Sequence, residues 1–76
     1  MMISVILPAY NEEDYIEGNV SKIINGMERI TRDYEIIIVE ESNDRTPEII
    51  QGLKKRYRKI RHFHFNRRLG KGKALE

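Results

Sequence analysis

Two adjacent glutamates, Glu40 and Glu41, end an unbroken apolar run, Ile36 to Val39. Successive side chains on a strand point to opposite faces, so only one of the pair can turn toward a ligand. An ionised carboxylate only accepts hydrogen bonds, which suits the N–H of an imide or amide edge such as uracil or guanine. In the plainer reading one acid is solvated, and Asp44 or Thr46 caps the following helix. A metal held by Glu40, Glu41 and Asp44 is disfavoured, because neighbouring strand residues diverge. A second phrase, Pro8-Ala9-Tyr10-Asn11-Glu12, follows the short apolar run Ile3 to Leu7. The Tyr10 ring there can pack on a base or ribose, and N–H groups at the start of the next helix can meet an anion. The plain alternative is a well-capped helix with a tyrosine plug. A third phrase, Asn66 to Lys73, combines Gly70 and Gly72 with Arg67, Arg68, Lys71 and Lys73. Glycine lets backbone approach an anion, and the bases supply charge. It is neither a Walker A loop nor a GxGxxG fingerprint.

These phrases need a frame that brings them to one place. Ile3 to Leu7 reads as a parallel strand buried on both faces, ended by Pro8, which has no N–H for the ladder. Asn11 is a good N-cap, with Glu12, Glu13 and Asp14 in a first helical turn. Ile16, Val20, Ile23, Ile24, Met27 and Ile30 then recur at helical spacing, although Gly18 and Gly26 each weaken a helix by about 1 kcal/mol relative to Ala. Ile36 to Val39 reads as the central strand. Thr46-Pro47-Glu48 starts a second helix, whose stripe is Ile49, Ile50, Leu53 and Tyr57. Ile60 to Phe65 alternates like a half-exposed edge strand, with His62 and His64 on one face. Two histidines so spaced can chelate a metal, but with no carboxylate nearby in sequence they read as structural. Leu69 to Glu76 begins a third helical pattern. Strands alternating with helices imply an α/β unit with a parallel sheet. The phrases after strands one, two and three then share the carboxyl edge, where open α/β sheets bind ligands.

The 76 residues make one small domain or part of a larger one. Residues 1–53 hold four bases against eleven acids, a net −7, while residues 54–76 hold ten bases and Glu76, a net +9. The basic third points to an anionic partner (phosphate, nucleic acid or a lipid surface) or to a solvated helix face over Lys54 to Lys59. There is no cysteine, as fits a reducing compartment. No signal-peptide pattern appears, nor any apolar run near the ~18 residues of a membrane span.

Together the three phrases resemble family 2 glycosyltransferases. These are inverting enzymes of the A-type nucleotide-sugar fold, which include dolichyl-phosphate mannose synthases. That family opens with a strand and Pro-x-Tyr-Asn-Glu, matched by Pro8, Tyr10, Asn11 and Glu12. Its second strand usually ends Val-Asp-Asp-Gly-Ser-x-Asp-x-Thr, to which Val39, Glu40, Glu41, Ser42, Asp44, Arg45 and Thr46 correspond. Both aspartates are glutamates here, and the loop is one residue shorter. Asn-x-Gly-x-Gly-Lys-Gly-x-Ala or similar follows its third strand, matched by Asn66, Gly70, Lys71, Gly72 and Ala74.

The resemblance implies a Rossmann-like β-α-β-α-β half with strand order 3-2-1 and a later strand beyond strand one. Residues 1–76 would then be the amino-terminal nucleotide-binding portion of a truncated glycosyltransferase domain. It implies nucleotide contacts from Pro8, Tyr10, Asn11 and Glu12, from Glu40 or Glu41, and from Arg68, Gly70 and Lys71. The implied partner is a UDP- or GDP-linked sugar, without nucleic acid or membrane contact from these residues. The implied site is cytoplasmic, with a parent at the cytoplasmic face of a membrane. The family's metal-binding Asp-x-Asp signature is absent: the aspartates stand at 14, 33 and 44. Mg²⁺ or Mn²⁺ is therefore implied for a full-length parent and no cofactor for this chain, which is expected to be inactive alone. Strand one would keep one edge unpaired, inviting weak self-association. Two other readings are a basic nucleic-acid-binding module and a non-catalytic α/β interaction domain.

Overall fold

A computed structural model of the chain describes residues 1–65. The expected β-α-β-α-β order is present: β1 (Ile3–Ala9), α1 (Ile16–Glu28), β2 (Tyr34–Glu40), α2 (Thr46–Arg56) and β3 (Ile60–His64). Both strand pairs are parallel, and β2 is central in the order β1-β2-β3. Counted from the β3 edge this is 3-2-1. The helical pattern expected from Leu69 lies outside the described residues, and among those described no strand pairs with the other edge of β1.

Strands laid down in one direction with crossovers of one hand put both helices on the same face. α1 packs against α2, and a single core joins them to the sheet. Ile36 and Ile38 project from β2 into that core and are fully buried. They meet Ile16 and Val20 of α1, Ile50 and Leu53 of α2, and Ile60 of β3. The helical stripes are therefore as expected, except that Ile30 lies beyond the end of α1 and is exposed. The two helix-weakening glycines touch nothing, since a Cβ at Gly18 or Gly26 would have no neighbour within 4 Å.

The described unit has two layers, and its other face is open. β1 is thus not buried on both sides: Val5, Leu7 and Ala9 face the helices, whereas Ile6 is 58% exposed. Phe63 is also exposed on this outer face. Toward its amino end Ser4 Oγ donates to Glu35 Oε2 (2.6 Å), and Arg61 pairs with Glu35 (3.6 Å).

Pro8 does not end β1, which runs on to Ala9 with Pro8 paired opposite Val39. The parity of the ladder explains this. Ile3 N–H donates to Asp33 O, so odd-numbered residues of β1 turn their backbone groups toward β2. Even-numbered residues, Pro8 included, turn theirs to the edge that is unpaired within the described residues. The missing N–H therefore costs no bond, as is usual for proline in an edge strand.

Candidate functional site

The carboxyl ends of β1 and β2 are followed by loops 10–15 and 41–45. Helix α1 does not begin after Asn11 as its sequence predicts. Asn11 takes a left-handed backbone conformation (φ 48°), which asparagine tolerates better than most residues. Its side chain is used across the gap, where Oδ1 accepts the Asn43 N–H (2.9 Å). A turn over residues 13–15 follows, and α1 starts only at Ile16.

The second loop satisfies the backbone donors of the first. Asn11 N–H donates to Ser42 Oγ (2.8 Å), Glu12 N–H to Thr46 Oγ1 (2.8 Å) and Glu13 N–H to Asp44 Oδ2 (3.2 Å). In return Arg45 N–H donates to Glu13 Oε1 (2.9 Å). Thr46 is fully buried and does not cap its own helix. Asp44 supports that helix instead, its Oδ1 accepting the Thr46 N–H (2.9 Å). Burial nudges the Asp44 carboxyl up, but hydrogen bonds from Thr46 and the Glu13 N–H hold it below the usual carboxylate range. These bonds consume the N–H groups that an anion was expected to meet at the first loop.

Beside the loops lies an open pocket of about 400 Å³, lined by Pro8, Ala9, Tyr10, Glu12, Val39, Glu40, Glu41 and Phe65. Five of the nine sequence-derived site residues are on its wall: Pro8, Tyr10, Glu12, Glu40 and Glu41. Asn11 is one residue from it, joining the loops. Arg68, Gly70 and Lys71 lie outside the described residues. Ala9, Val39 and Phe65 complete the wall; the sequence places Val39 and Phe65 at the ends of strands and Ala9 just after one, with nothing to mark them as site residues. Among the described residues the wall carries acids and rings but no base, so it can take a nucleoside more readily than its phosphates.

The two glutamates have different surroundings. Glu41 is exposed, whereas the Glu40 carboxylate is fully buried. Glu40 Oε1 accepts the Ser42 N–H (2.8 Å). Its Oε2 accepts from His62 Nε2 (2.7 Å) and His64 Nδ1 (2.6 Å). Burial pushes this carboxyl up. The bonds from His62, the Ser42 N–H and His64 outweigh that push and hold it below the usual range. The histidines thus have a carboxylate partner that is distant in sequence and adjacent in register: β2–β3 pairing sets Glu40 opposite His64. Among the described residues no group of three or more His, Asp or Glu side chains is arranged to hold a metal ion.

The pocket lies at the carboxyl edge of a parallel α/β sheet, the place where open sheets of this class bind ligands. The model of glycosyl transferase family 2 matches residues 4–76, and the chain belongs to that family. It is 42% identical to the glycosyltransferase AglD of Haloferax volcanii over 77 residues, which span 97% of this chain and 12% of that protein. It is 41% identical to the dolichol-phosphate mannosyltransferase of Pyrococcus furiosus over 58 residues, 75% of this chain and 16% of that one. A poly(ribitol-phosphate) beta-glucosyltransferase of Bacillus spizizenii is 36% identical over 61 residues, 79% of this chain and 10% of the relative. The chain therefore spans only about a tenth to a sixth of these relatives. No solved structure matches it significantly.

Proposed function

We propose that the chain is the nucleoside-binding part of a glycosyltransferase that uses a nucleoside-diphosphate sugar. The observation that carries this reading is the pocket at the carboxyl edge, walled by Pro8, Tyr10, Glu12, Glu40 and Glu41 of the two family motifs. The Tyr10 ring packs against the nucleobase or ribose. Glu41, exposed on the pocket wall, accepts from the base N–H. Cationic contacts to the diphosphate come from Arg68 and Lys71, with Gly70 allowing close approach; this assignment rests on the family motif alone. In the parent an acceptor attacks the anomeric carbon with inversion, assisted by a general base. The divalent ion implied for such a parent finds no fitting ligand set among the described residues.

A two-dimensional amide NMR titration with UDP, then GDP, tests the proposal. Shifts clustered at Tyr10 to Glu12 and at Glu40 to Ser42 are expected with one of the two. Glu41→Gln should weaken that binding roughly tenfold, the scale of one hydrogen bond to a charged group. A spectrum indifferent to both nucleotides, with steeply salt-dependent binding to oligonucleotides, would replace this reading with a nucleic-acid module.

A further inference from the structure

The histidines of β3 meet a carboxylate of the pocket wall, a partner their sequence context hides. His62 and His64 lie two apart on the helix-facing side of the strand and converge on one oxygen, Glu40 Oε2. Their donor pattern is set by their neighbours. Gln51 Nε2 of α2 lies 2.7 Å from His62 Nδ1, and with that amide nitrogen as donor Nδ1 is an acceptor. Its Nε2 is then the donor to Glu40. His64 donates through Nδ1, and its side chain is 41% exposed while that of His62 is 4% exposed. A buried carboxylate is stable only when its oxygens are satisfied. Here three donors do this, two of them from β3.

Resting on the nucleotide reading above, we infer that His62 and His64 are positioning residues for the nucleoside pocket, acting through Glu40. They draw its carboxylate toward β3. The other Glu40 oxygen then anchors the Ser42 N–H, and Ser42 Oγ in turn receives the Asn11 N–H. One carboxylate so connects β3 to both loops that wall the pocket, and it fixes the backbone on either side of Glu41. The side-chain length matters. Glutamate, where the family usually has aspartate, adds the methylene that lets one carboxylate reach from Ser42 to the imidazoles.

The test separates a donor from a filler. An asparagine amide stands where Nδ1 of histidine stands, whereas leucine supplies bulk alone. His64→Asn should bind the nucleotide within about twofold of wild type, and His64→Leu about tenfold or more weakly. His64 is partly exposed, so neither change opens the core. Nitrogen-15 spectra of the wild-type rings supply a measurement that needs no variant. His62 should carry its proton on Nε2, and His64 should carry one on Nδ1. Wild-type affinity in His64→Leu would overturn the inference, as would equal loss in both variants or the opposite tautomer in His62. In each of those cases the nucleotide reading survives. Failure of the wild-type chain to bind either UDP or GDP would overturn both.

Discussion

At the scale of single residues, ionisable groups in the core give the fold a pH window. The folded-state value of Glu40 is depressed, so its contribution is present above the ordinary carboxylate range and is lost as pH falls through the depressed value. Tyr34 does the opposite at the alkaline end. Burial, a hydrogen bond to Glu28 (2.8 Å) and the charge of that glutamate push its hydroxyl up to about 12. Its contribution holds below the ordinary value of 10.0 and is lost as pH rises from there through about 12. Urea unfolding across pH should show both limbs, with Tyr34→Phe removing the alkaline one and leaving the acid one. An alkaline limb unchanged in that variant would assign it to another group. Neither limb is readable from the sequence. Tyr34 opens β2 with no sign that Glu28 will meet it, and Glu40 gains its partners from a strand 22 and 24 residues away.

At the scale of elements, periodicity foretold the two helical stripes and the central strand, because burial on a sheet imposes those repeats directly. The element ends were less legible. Asn11, Thr46 and Pro8 are strong local signals whose usual meaning was overridden by a neighbour. The Asn11 side chain serves the second loop, the Thr46 hydroxyl serves Glu12, and the nitrogen of Pro8 faces an edge that is unpaired within the described residues. Thr46 is the sharpest case. Thr46→Val keeps the buried shape but leaves the Glu12 N–H without its acceptor. It should lower unfolding stability by about 1 kcal/mol, the scale of leaving a part-buried donor without its bond. A valine variant with an unchanged unfolding midpoint would show that water replaces the hydroxyl.

At the scale of the whole molecule, the helices cover one face of the sheet and leave the other with Ile6 and Phe63 exposed. Strand β1, Ile3–Ala9, carries no charged side chain and leaves one edge unpaired within the described residues. Edges of this kind accept another strand. Weak, concentration-dependent self-association is therefore expected in sedimentation, and Ile6→Lys should reduce it. A monomer at every concentration would show that the edge is protected. The pocket end of the molecule behaves differently, because five cross-loop hydrogen bonds make the two loops one body. Neither loop can detach without stripping donors from the other, so their amides should exchange with solvent through a shared opening rather than separately. A ligand that quiets this opening at Tyr10 would then slow exchange at Arg45 as well, so the two walls would communicate with no change of shape.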